Sequence, residues 1–208
     1  MMRLEQALAD LQCIHTHLDR AQRATCYRSA SIGGSGLVAL LAGVVQAWWM
    51  PAAASQGAAF FVYWTLVAVV CVALIGAEIG VRYLYHSTTR LRQQTRQSLG
   101  EFFPFVAVGA LVGLAVAQNA PEHVCLLPTV WAALFGLGVL TSRHRLPQGG
   151  VWIAGYYWLA SLACVQWGTG SHALNPWTVS LTFGLGQLMT AGLLYFSSEG
   201  QRAEEIDG

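Results

Sequence analysis

Few residues in this chain are of a type and spacing that can do chemistry. Two carboxylates, Glu78 and Glu101, flank an arginine-rich stretch between Gly76 and Pro104 that leaves one apolar run and enters the next. An acid in hydrocarbon costs on the order of 3 kcal/mol or more, so one kept there tends to serve a proton or a cation. Glu78 precedes Arg82 by about one helical turn, and an ion pair at the membrane interface is the plainer expectation for the two. Glu101 ends Ser98-Leu99-Gly100-Glu101, which has the S-x-x-E form of a capping box. That spacing predicts a helix starting there, with the acid at its positive end.

Cysteine and histidine offer less. In Cys13-Ile14-His15-Thr16-His17, a helix brings Cys13 and His17 within one turn of each other. Two ligands fall short of the three or four that zinc takes, so solvated helix surface is expected and no metal. His123 and His172 fall in loops, and Cys125 and Cys164 lie near the same membrane boundary. A disulfide between those cysteines or heme ligation by those histidines is open, but no motif carries either, and unpaired residues are expected. No catalytic residue and no cofactor is predicted.

The elements that would position these residues are read from composition. Of 208 residues, 55% are hydrophobic and 10% charged, against roughly 25% charged in soluble domains. Every one of the 11 basic residues is arginine. No basic patch interleaved with aromatics is present, which excludes a nucleic-acid partner. Apolar runs near the roughly 20 residues needed to cross hydrocarbon indicate a polytopic membrane protein.

Six such spans are predicted: Ile32–Met50, Ala58–Val81, Phe102–Ala117, Val124–Thr141, Val151–Trp167 and Trp177–Phe196. They are helices because lipid offers the backbone no hydrogen-bond partner. The loops after the first, third and fifth spans contain no arginine, whereas the others and both terminal segments contain all 11. The positive-inside rule then places both termini in the cytoplasm of a bacterial inner-membrane protein. Trp48, Trp49, Trp167 and Trp177 anchor one interface, and Tyr83 and Tyr85 the other. Asn175 and Pro176 read as an N-cap and first-turn proline for the last span. Ala52-Ala53-Ala54 resembles a signal-peptide cleavage site, but the polar and apolar runs before it are long for one.

Leu4, Leu8, Leu11, Ile14 and Leu18 recur at helical spacing over residues 1–31, opposite Arg3, Glu5, Asp10 and Asp19. This is a cytoplasmic amphipathic helix for the membrane surface, a protein partner or self-association. Residues 32–196 form the bundle, and 197–208 a cytoplasmic tail. Glycines shape the spans. Gly76 with Gly80, and Gly109 with Gly113, form GxxxG segments that let helices approach closely. Phe135-Gly136-Leu137-Gly138 recurs as Phe183-Gly184-Leu185-Gly186, which suggests three helical hairpins of like orientation.

The layout resembles a group of small bacterial six-span membrane proteins. The resemblance rests on Leu11–Ala42, LQCIHTHLDRAQRATCYRSASIGGSGLVALLA, on Phe103-Pro104 entering the third span, and on Leu127-Pro128 through Trp131 in the fourth. It implies the six-span all-α fold and carries over no functional residue. The function expected is that of a structural or regulatory membrane protein acting through protein partners. The alternative is a small-solute or proton-coupled transporter or channel using Glu78, with Cys71, Thr65 and Gln187 as mild polar groups near the midplane.

Overall fold

The computed structural model describes residues 29–49, 57–85, 89–142, 149–168 and 174–206, with side chains at all but 79, 82–99, 101–102 and 198–206. The described residues build helices and no strand. They are α1 (Ser29–Trp49), α2 (Gly57–Tyr85), α3 (Thr89–Asn119), a 3-10 segment Pro121–Leu126, α4 (Leu127–Thr141), α5 (Gly150–Trp167) and α6 (Pro176–Ile206). Most of the expected N-terminal amphipathic helix, with Cys13, His15 and His17, lies outside the described residues. So do His172 and the side chains of Arg82 and Glu101.

Among the described residues, four helical stretches are long and apolar enough to cross a bilayer: Ser29–Trp49, Gly57–Glu78, Pro121–Thr141 and Pro176–Ser197. They mark an all-helical, multi-pass membrane protein. The other two expected spans are apolar as well but fall outside that set. Phe103–Asn119 is a shorter apolar helix, and α5 carries Trp152, Tyr156, Tyr157, Trp158, Ser161 and Gln166 within its 18 residues.

The helix termini differ from the sequence expectation. α3 begins at Thr89 and runs through Ser98, Gly100 and Glu101 without a break. The capping-box reading of Ser98 and Glu101 is therefore corrected: both lie inside a helix, because the Arg- and Gln-rich residues before them are good helix formers. Pro104 also falls in the helix interior, where it has no N–H for the carbonyl of residue 100. α6 likewise continues past the expected span to Ile206. Its start is as expected: Asn175 Oδ1 accepts from the Trp177 N–H at 3.0 Å, with Pro176 in the first turn.

Successive helices are neighbours, and the last returns to the first. The Tyr63 hydroxyl donates to the Ala42 carbonyl at 2.6 Å, and the Cys71 thiol to the Ser35 carbonyl at 3.6 Å, so α2 runs back along α1. Gly57 at the start of α2 meets Pro121, just past the end of α3. Trp131 Nε1 on α4 donates to the Gly109 carbonyl on α3 at 3.0 Å. The Ser161 hydroxyl on α5 donates to the Thr129 carbonyl on α4 at 2.9 Å. Tyr156 on α5 donates to the Leu181 carbonyl on α6 at 3.0 Å. α6 closes on α1 along a seam of small residues, where Gly36 faces the Gly184 carbonyl, Gly43 faces Ser180 and Gly33 faces Ala191. Trp48, Trp49, Trp167 and Trp177 thus gather at one end of the bundle, the tryptophan end.

Two core clusters fill the interior. One, toward the tryptophan end, joins Ala42, Phe60, Trp64, Val124, Leu127 and Val179. The other joins Val139, Ile153, Ala154 and Tyr157. Phe183 packs against both. Leu41, Leu66, Leu111, Leu159 and Leu162 point outward and are exposed, as a surface that faces hydrocarbon requires.

Candidate functional site

The second core cluster is built around Tyr157, which is fully buried. Its ring lies 4.8 Å from Phe135 of α4 and 5.9 Å from Phe183 of α6. Those two phenylalanines meet edge to face at 5.6 Å. Such offset and edge contacts place the positive rim of one ring on the negative face of another, at about 0.5–1.5 kcal/mol per pair beyond burial. The glycines of the repeated segment make room for this arrangement. A Cβ on Gly136 would stand 3.1 Å from Tyr157 Cβ and 2.9 Å from Trp158 Nε1. A Cβ on Gly186 would strike the Tyr157 ring and hydroxyl.

The two copies of Phe-Gly-Leu-Gly are therefore used differently. In α4 the first glycine, Gly136, backs Tyr157, and Gly138 is buried beside it with its carbonyl accepting the Thr141 hydroxyl at 2.9 Å. In α6 the second glycine, Gly186, backs Tyr157, while Gly184 faces Leu40 and the Gly36 carbonyl of α1. Glycines two residues apart thin two faces of one helix, and α6 is wedged between α1 and α5.

Polar groups in the interior fall into two sets. Ser35, Tyr63, Trp131, Tyr156 and Ser161 each donate to a backbone carbonyl. A second set is buried with polar atoms that have no partner among the described residues: both amide atoms of Gln46, and the Trp64 Nε1, Thr129 Oγ1, Tyr157 Oη and Ser180 Oγ atoms. Each comes from a different helix: α1, α2, α4, α5 and α6. A buried polar atom left unpaired costs about 1–3 kcal/mol. The set is thus comparable in weight with the about 5–15 kcal/mol that stabilises a whole domain.

The residues singled out from sequence are spread apart. Glu78 is half-buried on the last turns of α2, far along the helix from the tryptophan end. Glu101 lies on α3. His123 Nδ1 is 3.2 Å from Glu122 Oε1, with both side chains largely exposed, a contact worth about 0–1 kcal/mol. Cys125 and Cys164 are free thiols. Cys125 approaches the Glu122 carbonyl at 3.8 Å, and Cys164 the Thr182 hydroxyl at 3.6 Å. Among the described residues no three His, Cys, Asp or Glu side chains converge as metal ligands would.

The two GxxxG segments also part ways. Gly109 is covered by Trp131 and Leu134 of α4, and Gly113 by Phe61 of α2 and Trp131. Around Gly76 and Gly80, in contrast, nothing among the described residues comes within 4 Å of a Cβ position. Between α5 and α6 runs a groove of about 420 Å³, with Cys164 and Thr182 among its lining residues and Trp167 and Trp177 at its rim.

Tyr157, Gln46, Trp64, Thr129 and Ser180 escaped the sequence reading. Gln46 is the one with a usable signal, since it is an amide between Val45 and Ala47 inside an apolar run. Comparison with protein-family models, with curated proteins and with solved structures returns no match.

Proposed function

We propose that the chain is a bacterial inner-membrane protein that crosses the bilayer six times as three helical hairpins, with both ends in the cytoplasm. It acts as a structural or regulatory partner of other membrane proteins. The side-by-side, reversing packing of α1 to α6 supports the hairpins, and the placement of all 11 arginines supports the orientation. The observation that carries the partner reading is the bare face of α2. Its membrane-crossing window is 11% buried, where the other three long apolar helices reach 33–39%. At Gly76 and Gly80, small residues one turn apart, nothing among the described residues lies within 4 Å of a Cβ position. In lipid, helices associate by close van der Waals packing at such small residues, because water exclusion contributes nothing between two surfaces already in hydrocarbon. An uncovered pair suits a helix from another chain.

The interior gives ion coupling little to work with. No Asp, Glu, Arg or His is buried among the described residues, and Glu78 is only half-buried, on the last turns of α2. The reading is tested by crosslinking in native membranes, gentle detergent extraction, and flux assays in liposomes. Recovery of a defined complex, with no solute flux by the purified chain, is expected. A lone monomer that moves solute, with Glu78→Gln abolishing the movement, would establish the transport alternative instead.

A further inference from the structure

The unpartnered polar atoms toward the tryptophan end form a group. Gln46 is one turn beyond Gly43 on α1, and Gly43 is seated against Ser180 of α6. Trp64 of α2 belongs to the same core cluster as Ala42 and Val179, the sequence neighbours of Gly43 and Ser180. Three helices therefore bring Gln46, Trp64 and Ser180 to one region, where they are 1%, 3% and 0% exposed. None of their side-chain polar atoms meets a hydrogen-bond partner among the described residues. We infer that Gln46, Trp64 and Ser180 line an internal site for small uncharged hydrogen-bonding molecules, of which water is the smallest.

The chemistry of the three side chains sets the ligand class. The Gln46 amide brings two N–H donors and one carbonyl, Trp64 one N–H, and Ser180 a hydroxyl that donates and accepts. Four donor hydrogens are matched by the four lone pairs of the Gln46 carbonyl and the Ser180 hydroxyl, so an uncharged guest that both donates and accepts fits. No charged side chain is buried among the described residues, and an ion would enter without the compensation that burial demands. A guest that makes two to four hydrogen bonds is the ordinary way such a set is satisfied in a folded interior. The site goes beyond the partner reading: it lies between α1, α2 and α6 and makes no use of the bare face of α2.

The test is proton exchange at the Trp64 indole in full-length protein, labelled with ¹⁵N-tryptophan and held in lipid nanodiscs. The Trp64 signal is assigned by its loss in Trp64→Phe. The indole N–H is expected to show a cross-peak to water and to exchange into D₂O within minutes despite its burial. Gln46→Leu combined with Ser180→Ala should remove the cross-peak and slow exchange at least tenfold, and Ser180→Ala alone should give a smaller slowing if the double variant does not fold. Urea added as a probe should shift the Trp64 signal saturably in the wild type and not in the variant. A Trp64 indole with no water cross-peak that stays protonated for days would overturn the inference, as would exchange unchanged by both variants.

Discussion

The segments Gly76-Ala-Glu-Ile-Gly80 and Gly109-Ala-Leu-Val-Gly113 carry the same spacing of small residues and meet opposite fates. On α3 the glycines receive aromatic rings: Trp131 lies over both, its indole N–H bonded to the Gly109 carbonyl, and Phe61 reaches Gly113 from α2. On α2 the glycines face nothing among the described residues. What decides between a sealed and an open groove is the residue opposite. α3 is packed along α4 and α2, which supply a tryptophan and a phenylalanine at the matching depth. The small-residue motif permits close approach, and the neighbouring helix decides whether it happens.

Breaking the sealed side should have the largest consequence. Trp131→Ala removes the ring over Gly109 and Gly113 together with its hydrogen bond, and a loss of about 3–5 kcal/mol is expected, read as a lower unfolding midpoint in detergent. Gly113→Val should cost about 1–3 kcal/mol. Its Cβ would sit 2.8 Å from the Phe61 ring and 3.3 Å from Trp131, and Phe61→Ala in the same chain should restore part of the loss. On the open side, Gly76→Ala should leave the unfolding midpoint of the isolated chain within about 0.5 kcal/mol of wild type. The two glycine variants measured side by side sharpen the contrast: equal losses would mean that α2 is as tightly covered as α3.

Much of this architecture is legible in the residues, and the reasons it stops being legible are physical. Lipid forces long apolar runs into helices, so the cores of α1, α2, α4 and α6 follow from hydropathy. Helix ends do not, because a polar stretch of arginine and glutamine reads as a linker by hydropathy yet continues a helix by propensity. This is why α3 starts at Thr89 and carries Glu101 in its interior. Asn175-Pro176 succeeded because capping chemistry is local. The Tyr157 cluster could not be read, since Trp152-Ile-Ala-Gly-Tyr-Tyr-Trp158 gives no hint of which aromatic turns inward. That choice depends on the register between α4, α5 and α6, where Phe135 and Phe183 come into contact. The two Phe-Gly-Leu-Gly segments carry Phe135 and Phe183, but their pattern gives no hint of the tyrosine between them.

A smaller effect distinguishes the tyrosine cluster from the Trp131 seal. Tyr157→Phe keeps the ring contacts and removes a buried hydroxyl that has no partner among the described residues. Stability should be unchanged or rise by about 1 kcal/mol, where a clear loss in the unfolding midpoint would show the hydroxyl to be bonded.

The central claim, that the glycine face of α2 receives a helix from another protein, is most directly tested by a photoreactive residue placed at position 76 in intact membranes. The same residue at Leu111, exposed on α3, serves as the comparison. A discrete protein adduct from position 76 and lipid adducts from position 111 are predicted. Lipid adducts alone from both positions would contradict the account.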